Sequence, residues 1–336
     1  MDAYQLQGHH LDSLRQVRLP EPAPGPGEVR IRTEAASINY RDYALATGLY
    51  QPGLPRPFVP LSDGVGRIEV LGEGVSGLQV GDRVLGHYTT TWLDGPFRSE
   101  NHAHKLGGPR DGWLARSIVL PAPAVLPAPA YLSAAQAATL PVSGLTAWAA
   151  LRKLALAPGA SLLVQGSGSV SLMAMQLAVA RGVRVIATSA DPAKAERLRA
   201  LGASAVIDYR QRPDLAAAVR ELTDGRGVDG IVDVVGGPGL VELLGAAADN
   251  AHIAIVGFLN GFEVAGNLIA PIMAHQLNIH GVSVGSARDF AEFLAELERH
   301  RIEPLVGEVF GFDDAPAAIA SVAQQRVLGK PVIVFD

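Results

Sequence analysis

Ser161-Leu162-Leu163-Val164-Gln165-Gly166-Ser167-Gly168-Ser169-Val170-Ser171 decides the fold of this 336-residue chain. A short apolar run leads into a turn carrying Gly166 and Gly168, and Leu172–Ala180 continues as a helix. That order suits a dinucleotide: Gly166 permits a tight turn and Gly168 lets a pyrophosphate approach the backbone. The first N–H groups of the helix then supply positive potential. Ser167, Ser169 and Val170 complete the turn, and Ser171 stands at the third glycine of the common fingerprint. An ordinary tight strand-to-helix turn reads the same way locally, so its surroundings must discriminate.

From about Leu126 onward, apolar runs alternate with alanine-rich helical stretches. Six candidate strands follow: Ser161–Gln165, Arg184–Thr188, Ala205–Asp208, Gly230–Val235, Ile253–Gly257 and Ile279–Val284. Helices are expected over Val170–Arg181, Pro192–Leu201, Leu215–Leu222, Gly239–Ala247 and Arg288–Arg299. Such alternation predicts an α/β fold with a doubly wound parallel sheet of Rossmann type. The first third reads differently. Glu28-Val29-Arg30-Ile31-Arg32 alternates as a half-buried strand after the turn Pro24-Gly25-Pro26-Gly27, and Gly81-Asp82-Arg83-Val84 marks another turn into a strand. The tail from Pro304 returns to short strands and one helix, Ala315–Gln324. The expected organisation is a cofactor domain, 125–284, inserted in a mostly β domain made of 1–124 and 285–336.

A chain of this length suggests two domains, and 48% hydrophobic residues with 37 glycines fit a turn-rich α/β protein. No cysteine is present, which excludes disulfides, a thiolate nucleophile and a cysteine-rich zinc lobe. A net charge of −5 gives no basic footprint for nucleic acid. Apolar stretches are too short, or are broken by Pro141, Arg152 and Lys153, to span a membrane. The first residues do not read as a signal peptide, so a cytoplasmic protein acting on a small-molecule substrate is expected.

Leu61 to Val75, LSDGVGRIEVLGEGV, resembles the signature of the medium-chain dehydrogenase/reductase superfamily, in which Gly-His-Glu is followed by spaced glycines. Gly66, Gly72 and Val75 keep the spacing, while Ser62 stands at the zinc-binding histidine. Ala35-Ala36-Ser37-Ile38-Asn39-Tyr40-Arg41-Asp42 resembles the segment bearing the first zinc cysteine, with Asn39 at that position, and Val142 falls where a third ligand would be. An amide, a hydroxyl and an isopropyl group cannot build a catalytic zinc site, so no metal is expected. The stretches Leu140–Trp148, Gly166–Ser171, Gly257–Phe262 and Gly281–Ser286 resemble the branch called quinone oxidoreductase-like or zinc-type alcohol dehydrogenase-like. Ser169 and Ser171 depart from the Gly-Gly-Val-Gly of standard quinone reductases. The resemblance covers almost the whole chain and implies a GroES-like catalytic domain around the Rossmann domain, and a homodimer paired through the edge strand at Ile279–Val284.

A carboxylate about 20 residues past the glycines binds the ribose hydroxyls of NAD in many such folds, and here that position is Ser189. The resemblance makes Ser189, Lys194 and Tyr209 a set holding the 2′-phosphate of NADP(H). Asp191 is the rival, since it could reach a ribose and favour NAD. The resemblance also places Thr146, Gly257, Phe258, Ser283, Gly285 and Lys330 at the cofactor. Thr146 could equally cap or pack a helix.

Without zinc, hydrogen-bond donors must stabilise charge developing on the substrate oxygen. Asn39, Asp42 and Tyr50 match the pattern of quinone and enoyl-thioester reductases, which implies that Tyr50 donates to the substrate carbonyl and Asn39 orients substrate or cofactor. Tyr50 could instead only line the pocket, as could His87, Tyr88 and Trp92. Asp63 is read as paired with Arg41 or Arg67, with proton transfer as the alternative, and His102-Ala103-His104 lacks a third metal ligand at suitable spacing. Three functions remain open: an NADPH-dependent reductase of quinones or activated C=C bonds, a metal-free alcohol/aldehyde dehydrogenase, and an NADPH-binding redox sensor without turnover.

Overall fold

In the computed structural model, which describes residues 1–324 and 328–336, the chain divides into two units. One is Thr146–Val284; the other joins Met1–Leu145 to Gly285–Asp336.

The apolar runs of Thr146–Val284 form a six-stranded sheet in the order Ala205–Ile207, Arg184–Thr188, Ser161–Val164, Val228–Asp233, Ala247–Ile255 and Asn278–Gly281. Every neighbouring pair is parallel. Ser161–Val164 is buried at every residue, as expected of a strand covered on both faces. A core of Leu163, Ile186, Val219, Val228, Ile231, Leu244 and Ile253 closes one side. Chain order reverses between the first strand, Ser161–Val164, and Val228–Asp233. Ligands of doubly wound sheets bind at the carboxyl ends of the strands on either side of such a reversal.

All six expected strands form. The helix expected over Gly239–Ala247 is shorter, Leu240–Gly245, and Ala247 begins the next strand. Helices at Leu145–Leu154 and Ile269–His275 were not foreseen; the first follows a wide turn, Leu140–Gly144, that holds Pro141, which alone reads as a breaker.

The other unit is built on the strand Glu28–Ser37, which pairs antiparallel with Asp63–Leu71, Ser117–Pro121 and Lys330–Val334. Val306–Gly311 lies beside Lys330–Val334, so the tail completes this sheet. The signature glycines are explained by close approach: a Cβ on Gly66 would lie 2.0 Å from the Arg32 carbonyl oxygen, and one on Gly72 would lie 1.9 Å from that of Gly25. The Trp113 ring fills the space over Gly64 and Gly86 in the same way.

The first junction between units lies at Leu145/Thr146, not at the expected 124/125. Val125–Pro127 pairs with Arg83–Gly86, and the helix Ala134–Ala138 packs on the strands Glu28–Ser37, Asp63–Leu71 and Lys330–Val334. These contacts, not the change of sequence rhythm, assign residues 125–145 to the β-rich unit.

Candidate functional site

At the carboxyl end of Ser161–Val164, Gly166 adopts φ 70°, a left-handed conformation that glycine tolerates without strain. Nothing lies within 4 Å of a Cβ built on Gly166 or Gly168, so the turn is open where a phosphate would sit. The helix Ser169–Ala180 starts directly after it. The Gly166 N–H donates to Thr188 Oγ1 at 2.9 Å, fixing the turn to the neighbouring strand. Ser171 is buried, and its hydroxyl donates to the Gln165 carbonyl at 2.7 Å, closing the turn from the helix side.

Among the described residues, two buried acceptors near this point lack hydrogen-bond partners. Gln165 Oε1 and Asp233 Oδ2 are buried without a hydrogen bond, and their strands are in register at Val164 and Val232. Asp233 Oδ1 accepts from the N–H groups of Val235 and Gly236, yet burial pushes its carboxyl above the usual range. Buried acceptors normally have donors, and the hydroxyl and amide groups of a nicotinamide nucleotide would provide them. Asp233 escaped the sequence reading; its place just before Val235-Gly236-Gly237, at a strand end, was the available signal.

Ser189 follows one strand and Tyr209 the next. The Ser189 N–H donates to the Ile207 carbonyl at 2.9 Å, so the two residues stand at adjacent strand ends. Lys194 lies in the first turn of Pro192–Ala200, and Tyr209 is 48% exposed. Asp191, the rival for ribose, is the N-cap of that helix and accepts the Lys194 backbone N–H at 3.1 Å. Thr146 Oγ1 donates to the Ser283 carbonyl at 2.9 Å, tying the start of one helix to the end of the last strand. Gly257 is required by packing, since its Cβ would meet the Val234 carbonyl at 2.0 Å, and Phe258 stacks on Phe262. Gly285 belongs to the other unit, where its carbonyl is engaged by His87 Nε2.

In the β-rich unit the zinc-ligand positions are occupied by a hydrogen-bonded cluster. Ser62 Oγ donates to Asp42 Oδ1 at 2.7 Å and accepts from Arg41 at 2.8 Å. Asn39 Nδ2 donates to Asp63 Oδ2 at 2.9 Å, and Ser37 Oγ donates to the same oxygen at 3.0 Å. These groups, with Val142, do not fit a zinc ion: the hydroxyl and the amide are turned onto carboxylates, and a valine has no donor atom. Among the described residues no three His, Cys, Asp or Glu side chains form a metal-holding group.

One expectation fails here. Asp63 pairs with neither Arg41 nor Arg67; its partner is Lys330, whose ammonium also donates to Ser143 Oγ at 3.2 Å. Arg67 pairs with Glu34 of the neighbouring strand Glu28–Ser37, and Arg41, on the helix Tyr40–Ala46, with Asp42. Lys330, expected at the cofactor, is 1% exposed, with its ammonium on Asp63.

Tyr50 follows the helix Tyr40–Ala46, its backbone N–H bonded to the Ala44 carbonyl at 3.1 Å. Its phenol acts electrostatically on the buried Tyr88 hydroxyl together with Arg41, Asp42 and Asp63. Burial is the main cause that raises the Tyr88 phenol, leaving it protonated at neutral pH. Asn39 belongs to the same neighbourhood through Asp63. His87 is a structural residue: both ring nitrogens face carbonyl oxygens, those of Thr89 and Gly285, and burial lowers its basicity. Trp92 and His102 each pack edge-on against Phe97.

Residues 25–130 match the alcohol dehydrogenase GroES-like domain, and residues 169–299 match the zinc-binding dehydrogenase family. A zinc-type alcohol dehydrogenase-like protein of Schizosaccharomyces pombe is 38% identical over 93% of this chain and 92% of its own. A quinone oxidoreductase of Pseudomonas aeruginosa is 31% identical over 94% and 93%. Among solved structures, one described as an NAD-dependent alcohol dehydrogenase superposes with a TM-score of 0.90 at 34% identity, covering 99% of both chains. A mycobacterial protein complexed with NADPH gives 0.83 at 27% identity, also covering 99% of both.

Proposed function

Because this chain belongs to the medium-chain dehydrogenase/reductase family of oxidoreductases, we propose that it is a zinc-independent, NADPH-dependent reductase of quinones or α,β-unsaturated carbonyl compounds. The observation that carries this reading is the commitment of Ser62 to Arg41 and Asp42, and of Asn39 to Asp63, at the positions where zinc relatives have ligands. An alcohol must lose its proton before it gives up hydride, and the two carboxylates of this cluster are already engaged, Asp42 by Ser62 and Arg41, and Asp63 by Lys330, Asn39 and Ser37. Reduction of an electron-poor carbon needs only a donor for the oxygen on which charge develops.

Bound NADPH would supply the hydride. Gly166 and Gly168, with the N-terminus of Ser169–Ala180, hold its pyrophosphate. Ser189, Lys194 and Tyr209 hold the 2′-phosphate; the relation between Asp191 and its own helix leaves phosphate, not a ribose diol, as the better match. Tyr50 donates to the substrate oxygen, and the cluster around Asp63 holds the backbone that carries Asn39 and Tyr50.

Turnover with NADPH against a panel of quinones, enones and aldehydes tests the reaction, and reduction of aldehydes alone would overturn it. Phosphate recognition is tested separately by Lys194→Ala. A charge-assisted hydrogen bond contributes on the order of 1.5–3 kcal/mol. NADPH binding should therefore weaken by roughly tenfold to a hundredfold while NADH binding changes little, and equal losses for both would refute the assignment.

The protein is further proposed to be a homodimer. Asn278–Gly281 is the edge of its sheet, and Ile279, Met273 and Ile269 are exposed at 38%, 73% and 64% on that strand and on the helix before it. Apolar side chains beside an unpaired strand edge are normally covered. Light scattering at micromolar concentration should give twice the chain mass, and a monomer mass would refute the pairing. Among the described residues no helix is long and apolar enough to cross a membrane.

A further inference from the structure

Lys105 is one of only four lysines among 28 Lys and Arg residues, and it belongs neither to the proposed cofactor set nor to the cluster around Asp63. Its backbone is fixed on both sides: it bridges to Thr89, its carbonyl accepts from the Arg110 N–H at 3.0 Å, and the Leu106 N–H donates to Tyr88. The residue is 5% exposed. Its Nζ lies 5.6 Å from the centroid of the Tyr88 ring and 5.9 Å from that of Phe97. The Arg41 guanidinium covers the same Tyr88 ring at 5.1 Å.

Two cations therefore flank one buried ring, and they differ in what they hold. Arg41 is engaged by Ser62 Oγ, Asp42 and the carbonyls of Leu106, Gly107 and Gly108. Among the described residues neither a hydrogen bond nor a carboxylate within 4.0 Å reaches the Lys105 ammonium. The groups that face it are Arg41 from the helix Tyr40–Ala46, Tyr88, Phe97, and His102 from the turn Ser99–His104, none of them anionic at neutral pH. Burial, and then the Arg41 charge, bring the amine down to about 8, so it remains mostly charged at pH 7. Aromatic faces stabilise such a cation only in part, and buried charges ordinarily have a partner.

We propose that Lys105 binds a carboxylate of the substrate, so that the substrates are quinones or enones bearing an acidic group. The missing partner is then supplied by the ligand. A carboxylate restores neutrality beside Arg41 and accepts the N–H bonds that the protein leaves unused, and charge-assisted bonds of this kind are the strong ones. The Tyr88 ring against which Lys105 lies carries a hydroxyl that feels the Tyr50 phenol, the proposed donor, electrostatically. Lysine rather than arginine matters here, because the amine is a compact charge that sheds its proton within reach of neutral pH. The inference rests on the reductase reading for the substrate's carbonyl body, while its test does not require turnover.

The experiment measures equilibrium binding of 4-(3-oxobut-1-enyl)benzoate and of its methyl ester to the full chain by calorimetry. The wild type should bind the acid on the order of ten- to a hundredfold more tightly than the ester at pH 7. That advantage should decline as pH rises above about 8, where the free amine loses its proton. Lys105→Met should bring the acid to the affinity of the ester and leave the ester unchanged. Lys105→Arg should keep the preference and abolish its decline with pH. A preference absent from the wild type, or one surviving in Lys105→Met, overturns the proposal. A chain that binds the acid selectively but reduces nothing would instead count against the reductase reading alone.

Thermal stability provides a second readout. The unfolded state takes up more protons than the folded state between about 8 and the ordinary 10.5 of a lysine. The folded state therefore bears the full cost of the uncompensated charge below about 8 and none above 10.5. Lys105→Met should raise the melting temperature at pH 7 and change it little at pH 11. A lower melting temperature at pH 7 would mark Lys105 as a structural lysine.

Discussion

Lys330→Met is expected to destabilise the β-rich unit by about 3–5 kcal/mol, the usual cost of removing one partner from a buried ion pair. Asp63 is 0% exposed and Lys330 is 1% exposed, so water cannot replace the missing ammonium. Ser37 and Asn39 would still donate to Asp63 Oδ2, but Asp63 Oδ1 already lacks a hydrogen-bond partner among the described residues, and the buried carboxyl would lose its cation. The pair also joins distant parts of the chain: Lys330 lies on the strand that the tail adds to the sheet, and Asp63 on the strand Asp63–Leu71. Urea unfolding followed through the buried Trp113 measures the loss. The double substitution Asp63→Asn with Lys330→Met removes both charges and should recover part of it, because the larger share of the penalty is the stranded carboxylate. A single variant within 1 kcal/mol of wild type would refute this account, as would a double variant less stable than the single one.

Tyr50→Phe is expected to lower turnover by about 100-fold or more, the typical cost of losing one donor to a developing oxyanion. The loss should appear in kcat and leave NADPH affinity intact, since the hydroxyl acts in the transition state. A residue that only lines the pocket would tolerate phenylalanine with a change of a few-fold. Tyr88 sharpens the comparison. Its hydroxyl is close enough to Tyr50 for electrostatic coupling, but burial holds its phenol up and Lys105 and Arg41 cover its ring. Tyr88→Phe should therefore cost much less than Tyr50→Phe. A reversal of that order would transfer proton donation to Tyr88.

The parallel sheet was legible from residue order alone because its cause is local and periodic. Apolar runs of strand length separated by helical stretches leave few ways to bury both faces of a sheet, and the glycines of Gly166–Gly168 mark the one connection that must approach a ligand closely. The expectation of no catalytic zinc rests on the same kind of reason: Asn39, Ser62 and Val142 are not the Cys or His donors of such a site, whatever their surroundings. What the sequence could not decide was every partnership made across long separation. Arg41, Arg67 and Lys330 were all chemically able to hold Asp63. Which of them does so depends on where the tail strand Lys330–Val334 docks against Glu28–Ser37, and that pairing joins residues about 300 positions apart. The junction at Leu145/Thr146 was hidden likewise, because residues 125–145 join the β-rich unit through side-by-side packing that leaves no periodic signal. Lys105 reads as an ordinary basic residue in an irregular loop. Only the folded chain, by placing Tyr88, Phe97 and Arg41 around its ammonium with no carboxylate of the described residues within 4.0 Å, turns it into a charge in need of an anion. Residue identity determines which chemistry is available, but burial and the neighbours brought by distant strands determine which groups are left to perform it.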